Sequence, residues 1–209
     1  MCGISGILSS SLSKSTKNVR IKQMIGSLDH RGPDSSGIYV DDQIALGHNR
    51  LAIIDIESGH QPMKSRDGSL LVVYNGEIYN FLEIRCELIK RGYSFSTQCD
   101  TEVILYAFQE WDKDAFKKFN GMFAIALWDK HTRRLYLARD RLGIKPLYYY
   151  KNNNNFLFAS EIKAFSKITD QELGFSQEGV AQYLAFQTYH SQQSLFKGVE
   201  QIPPGYVFV

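Results

Sequence analysis

This chain is strand-rich with helices set in between, and its first apolar run opens at residue 1 itself: Met1-Cys2-Gly3-Ile4-Ser5-Gly6-Ile7. Two readings of Cys2 stand side by side. It is an ordinary small residue at the start of a first strand, or it is a nucleophile. A small residue behind Met lets the initiator be clipped off, which leaves a thiol and a free α-amino group on one residue. An α-amino group has an unperturbed pKa of roughly 7.7–8.0, so near neutrality part of it is unprotonated. It can then take the thiol's proton, directly or through one water, as an N-terminal amine does for a threonine hydroxyl.

The remaining pattern supplies a scaffold. Residues 9–15 read as a serine-heavy loop, and residues 19–28 have helical spacing at Ile21, Met24, Ile25 and Leu28. His30-Arg31-Gly32-Pro33-Asp34 is a rigid turn, followed by strands expected over 37–40 and 44–54. Leu70-Leu71-Val72-Val73-Tyr74 is a run of strand formers. Asn80 and Glu83 fit a capping box, with Tyr79 and Ile84 placed for a hydrophobic staple, so a helix is expected from there to about Arg91. A second amphipathic helix carries Val103, Ile104, Ala107, Phe108 and Trp111. Strands are expected over 122–128, 134–138, 147–150 and 156–159, and a last helix over 176–185. After the turn Pro203-Pro204-Gly205 a strand begins at Tyr206 and stops at Val209, which reads as the front part of a longer protein.

Composition excludes several classes. At 209 residues with 44% hydrophobic and 13% aromatic residues, the chain can bury a full core. A net charge of +2, with basic residues in isolated pairs such as Lys117-Lys118, gives no stripe for nucleic acid or an anionic membrane. Three cysteines, Cys2, Cys86 and Cys99, cannot all pair, and no C-x-x-C spacing suggests a metal, so no metal site is expected. No secretory signal or bilayer-length apolar run is present, and a reducing cytoplasm is the expected compartment.

At Asn75-Gly76-Glu77 two readings compete. Asn-Gly after an apolar run signals a hairpin, yet the helix start at Asn80 leaves little room for a returning strand. The other reading is a strand that enters a tight turn and then a helix. There the Asn75 amide and the Gly76 N–H, unobstructed by a Cβ, would aim at one point as an oxyanion hole.

Taken together, these segments resemble the class II, N-terminal-nucleophile glutamine amidotransferases, and within them the glutaminase domain of asparagine synthetases. The resemblance rests on Met1-Cys2-Gly3-Ile4-Ser5-Gly6, His30-Arg31-Gly32-Pro33-Asp34, Gly47-His48-Asn49-Arg50-Leu51-Ala52-Ile53-Ile54-Asp55 and Tyr74-Asn75-Gly76-Glu77-Ile78-Tyr79-Asn80. It continues through Asp100-Thr101-Glu102, Asn120-Gly121-Met122-Phe123-Ala124, residues 138–148 from Ala138-Arg139-Asp140 to Lys145-Pro146-Leu147-Tyr148, and Ala159-Ser160-Glu161-Ile162-Lys163-Ala164. It runs in order through essentially the whole chain.

The resemblance implies roles. Cys2 would attack the side-chain amide of L-glutamine, giving a thioester and ammonia, and water would release glutamate. Asn75 and Gly76 would hold the oxyanion. Arg50 would clamp the α-carboxylate, a task its planar fork suits, with Leu51, Ala52, Ile53 and Ile54 lining the pocket. Glu77 and Asp100 would face the α-ammonium. Each has a bland rival: Asp100 also fits as a helix N-cap, and Arg50 as a solvated charge. His30 and His48 read as structural, because the α-amino group already serves as base.

The implied fold is α+β, a four-layer α/β/β/α sandwich of the N-terminal-nucleophile hydrolase type, with residues 1–209 as one glutaminase domain. A C-terminal synthetase domain would follow, and ATP and Mg²⁺ would bind there, with no cofactor in this domain. Periodicity alone does not select that architecture. The expected partners are glutamine and the synthetase domain, without nucleic acid or membrane, and a homodimer is left open. Three alternatives stay in view: amidation of a different carboxylate, such as a sugar or peptide precursor; an amidase acting on another amide; and a catalytically silent regulatory module.

Overall fold

The computed structural model describes residues 1–52, 59–152, 154–168, 173–189 and 192–209. The expected strand end at 51–54 and the site candidates Ile53 and Ile54 therefore lie partly or wholly outside the described residues.

Two antiparallel sheets form the centre. The first orders its strands β10-β8-β9-β1-β3-β2, built from β1 (Gly3–Ser9), β2 (Ser35–Val40), β3 (Ile44–Arg50), β8 (Tyr148–Lys151), β9 (Asn155–Ala159) and β10 (Val199–Gln201). The second runs β11-β7-β6-β5-β4, from β4 (Met63–Lys64), β5 (Leu70–Ile78), β6 (Gly121–Asp129), β7 (Arg134–Arg139) and β11 (Val207–Phe208). Helices α1 (Lys14–Gly26) and α5 (Lys163–Ser166) cover the first sheet. Helices α2 (Phe81–Lys90), α3 (Asp100–Trp111) and α4 (Ala115–Lys118) belong to the second, and α6 (Gln177–Phe186) lies between α5 and β10 in the chain.

The core explains why β5 reads as an unbroken apolar run. Leu71 and Val73 point between the sheets, where they join Ile4, Ile44, Leu46, Trp128 and Phe158. Leu70, Val72 and Tyr74 point the other way, against Val103, Ile104 and Ala107 of α3. A strand buried on both faces has no polar alternation to display. The third cluster packs Ile21, Met24 and Leu28 onto Ile7, Ala45 and Leu157. The layers are thus helix, sheet, sheet, helix.

Local details depart from the sequence expectations in three places. α1 starts at Lys14, inside the expected serine loop, because Ser13 caps it by accepting from the Thr16 N–H at 3.1 Å. The fully buried Lys17 donates to the Ser9 and Asp42 carbonyls, tying α1 to the sheet. Asn80 stands at the N-cap of α2, yet its side chain makes no cap bond. It accepts from Asn120 N–H at 2.9 Å and donates to the Lys118 carbonyl at 3.0 Å, and Tyr79 lies exposed. The third departure concerns Asn75-Gly76-Glu77, which is neither a hairpin nor a tight turn. β5 runs straight through it to Ile78, paired residue for residue with β6, Gly76 opposite Phe123. A Cβ on Gly76 would sit 2.2 Å from the Met122 carbonyl oxygen, so this glycine serves a close strand approach.

Candidate active site

Cys2 and Arg50 meet because β1 and β3 are antiparallel with Gly3 opposite Asn49. The residue before one strand then lies beside the last residue of the other. The Cys2 thiol faces Leu51, whose N–H donates to Sγ at 3.3 Å and whose carbonyl can accept from it at 3.6 Å. Arg31 fixes the backbone here, donating from Nε to the Cys2 carbonyl at 2.9 Å and pairing with Glu161 at 2.8 Å. Burial would raise the Glu161 carboxyl, but donation from Arg31, His30 and Lys163 outweighs it and holds the group near 2. Burial pushes the Cys2 thiol up, against the opposing Leu51 N–H, the N-terminal amine and the Arg50 and Arg31 charges. The resting group is a thiol, and a reaction through it needs a base. With Met1 attached, the Cys2 nitrogen is an amide and cannot be that base.

The facing wall is β5. Phe123 spends its N–H on Asp140 Oδ2 at 3.1 Å, and its carbonyl accepts the Asp140 N–H at 2.9 Å, both toward the β7 side. Gly76, its partner, is therefore a non-hydrogen-bonded pair member whose N–H and C=O point to the opposite edge of β5. The same parity appears on either side. The Tyr74 N–H goes to Gln61 Oε1 at 2.6 Å and the Ile78 N–H to Asp100 Oδ2 at 3.1 Å. Between them the Gly76 N–H faces the cleft. Asn75 is 2% exposed, and its Nδ2 has no hydrogen-bond partner among the described residues. An unpartnered buried donor of this kind costs about 1–3 kcal/mol, which a ligand acceptor would recover.

Asp100 opens α3, where Cys99 is the N-cap, so its carboxylate is not spent on capping. It accepts from Tyr74 Oη at 2.7 Å and from Ile78 N–H. Burial raises its pKa while those two donors pull it down. Arg50 is buried and Glu77 half-buried. His48 is also buried. Desolvation drives it down to about 4 although its Nε2 donates to the Tyr74 carbonyl at 3.1 Å, so at neutral pH it is uncharged and ties the two sheets together. His30 lies outside this wall, against Glu161 at 2.9 Å.

A cleft of about 230 Å³ opens between these walls, below the roughly 300–1,000 Å³ typical for drug-sized ligands. Cys2, Arg50, Leu51, Asn75, Gly76, Glu77 and Asp100 all border it. Ala52 does not border it, and its N–H is taken by Asp34 Oδ2 at 2.8 Å. Tyr74, Gln61, Thr101, Met122 and Lys145 also line the cleft. Sequence reasoning gave these five no role, although four of them fall inside the quoted motifs. Among the described residues no cluster of His, Cys, Asp or Glu is placed to hold a metal. No helix among them is long and apolar enough to cross a membrane.

The cleft thus brings together a thiol beside a strand start, a buried amide donor without a partner among the described residues, and the charged side chains Arg50, Glu77 and Asp100. The chain belongs to the glutamine amidotransferase domain family, whose model matches residues 1–209. It is 40% identical over 210 residues to asparagine synthetase [glutamine-hydrolyzing] 1 of Bacillus subtilis, covering 100% of this chain and 33% of that protein. It is 38% identical over 176 residues to asparagine synthetase [glutamine-hydrolyzing] 2 of Oryza sativa, with 84% of this chain and 29% of that protein covered. The chain thus spans about a third of the length of these relatives. In fold it is similar to the B. subtilis glutamine phosphoribosylpyrophosphate amidotransferase solved with ADP and GMP, with a TM-score of 0.65. That match has 22% identity and covers 79% of this chain and 43% of the other. The α+β four-layer sandwich is the fold it shares with that amidotransferase.

Proposed function

We propose that this domain hydrolyses the side-chain amide of L-glutamine, and that the ammonia passes to an ATP-dependent asparagine-forming domain of the same protein. The observation that carries the reading is the unpartnered Asn75 Nδ2, buried in the cleft that holds the Cys2 thiol. Two donors, Asn75 Nδ2 and Gly76 N–H, suit an oxyanion that exists only around the transition state.

In the proposed sequence Met1 is removed and the freed Cys2 amine takes the thiol proton as sulfur attacks the amide carbon. The carbonyl π electrons move to oxygen, which the Asn75 and Gly76 donors hold. The C–N bond then breaks as the ammonium of Cys2 returns its proton to the leaving nitrogen, giving ammonia and a thioester. Water, deprotonated by the same amine, adds to the thioester; the C–S bond breaks, the thiol regains a proton and glutamate leaves. Arg50 takes the α-carboxylate, and Asp100 with Glu77 takes the α-ammonium, so the two fixed charges of an amino acid are matched. ATP and Mg²⁺ are assigned to the synthetase part, and no cofactor to these residues.

The test is processing. Protein with Met1 or a tag retained is expected to fold and yet release no glutamate from glutamine, while material whose intact mass shows Cys2 first turns over. Cys2→Ala should fold, bind glutamine and stay silent. Full turnover from protein with an uncleaved N-terminus would overturn the mechanism, and no turnover from correctly processed protein would favour the silent-module reading.

A further inference from the structure

Lys145 borders the cleft with 7% of its surface exposed, and its ammonium has neither an ion pair nor a hydrogen bond among the described residues. Its backbone is held at both ends. The N–H donates to Asp140 Oδ2 at 2.9 Å and the carbonyl accepts from Arg139 Nε at 2.8 Å. Arg139 also grips the carbonyls of Ile202 and Gly143, and Asp140 gathers the N–H groups of Phe123, Leu142, Ile144 and Lys145. A loop with so many fixed bonds launches this one side chain from a defined point.

Its position separates it from the other charges of the site. On the β4 side of β5 lie Gln61, Asp100 and Thr101, tied to the outward N–H groups of Tyr74 and Ile78 or next to them in the chain. On the β6 side lie Met122 and Lys145, because Asp140 Oδ2 joins the N–H groups of Phe123 and Lys145. Asn75 and Gly76 stand between. A ligand held by Asp100 at one flank and reaching past the Asn75 and Gly76 donors points its far end toward Lys145.

From this placement we infer that Lys145 recognises the γ-carboxylate of glutamate, and so distinguishes the anionic product from the neutral substrate. The inference rests on the glutaminase reading. Glutamine and glutamate share every group at the α-carbon and nearly the same shape, so a cation at the far flank is the kind of group that tells them apart. An ammonium facing a carboxylate forms a charge-assisted contact, stronger than the bond it can make to an amide oxygen. Lys145 is a binding group in this proposal; the chemistry stays with Cys2, Asn75 and Gly76.

The experiment uses the full-length protein with Met1 removed. Calorimetric titration of Cys2→Ala and of Cys2→Ala with Lys145→Met compares glutamate with glutamine. The expected result is glutamate affinity down about tenfold and glutamine affinity within twofold, with Lys145→Arg restoring the glutamate value. Glutamate binding to the parent should also weaken with added salt more than glutamine binding does, through screening. Parallel loss of both ligands, or no change in either, overturns the inference. Turnover of glutamine by the unsubstituted protein is measured alongside. Its absence would overturn the glutaminase reading, whatever the two affinities show.

Discussion

At the scale of single residues, the site is defined by what is left unsatisfied. Asn75 is buried with an Nδ2 that has no partner among the described residues, a penalty that a side chain without an amide would have removed. This leads to a paired expectation. Asn75→Ala should lower kcat by about 10²–10³ with little change in KM, since the donor matters only when the oxyanion forms. Its thermal midpoint should not fall, because an unpaired polar atom is lost along with a small volume. Arg50→Lys and Asp100→Asn should mainly raise KM, with some loss of kcat if the amide is misplaced. Steady-state kinetics and a melting curve on the three variants check this, and an effect of Asn75→Ala on KM alone would reverse the assignment. Of these residues, Cys2, Arg50, Asn75, Gly76 and Asp100 were legible in the sequence because their chemistry fits the substrate of a resembled family. Tyr74, which holds Asp100, was not. Its hydroxyl acts across 26 positions, and within Leu70–Tyr74 it reads only as one more strand former.

At the scale of elements, β5 does most of the positioning. One strand turns the Asn75 side chain toward the gap between sheets and the Gly76 N–H toward its own edge, while Tyr74 and Ile78 hold Gln61 and Asp100. The sequence pointed to a turn here because Asn-Gly is a strong local signal, and the pairing that overrides it comes from β6, far along the chain. The two-residue strands β4 and β11 are too short to show any periodicity, although the turn before β11 was visible in Pro203-Pro204-Gly205. Asn80 misled in the same way as Asn75, its amide serving residues 118 and 120 where a local cap was expected. Between the sheets, the uncharged His48 gives a pH dependence. Its pKa falls from an ordinary value near 6.5 to about 4 in the fold. Above 6.5 both states are neutral and nothing is lost. As pH falls below 6.5 the unfolded chain takes up a proton that the fold refuses, so stability declines until pH reaches about 4. The loss is up to about 3 kcal/mol. Urea denaturation between pH 7.5 and 4 should show this decline in the parent and a smaller one in His48→Gln. Equal slopes in both would remove His48 as the cause.

At the scale of the whole molecule, the four layers were legible only through resemblance, since periodicity gives strands and helices but not how two sheets stack. The chain covers about a third of its relatives, and the proposed division of labour predicts what it does unaided. Given glutamine, the 209-residue chain should yield glutamate and ammonium at a rate indifferent to ATP, Mg²⁺ and aspartate, and no asparagine should form. Asparagine should be a poor substrate, because its amide stops one methylene short of the thiol. Product analysis by mass spectrometry with and without those additions decides it, and ATP-dependent asparagine from these residues would refute the division.

Cys2 directly precedes β1 of one sheet, while Asn75 and Gly76 belong to β5 of the other. In the proposed reaction the new bond therefore forms across the seam of the sandwich, and its geometry is set by the spacing of the two layers. Turnover becomes a ruler laid across that seam. A perturbation that slides or parts the layers by a fraction of an ångström, such as mild urea, pressure or a trimmed interlayer side chain at Leu71 or Val73, should silence the enzyme while each sheet still gives its full circular dichroism.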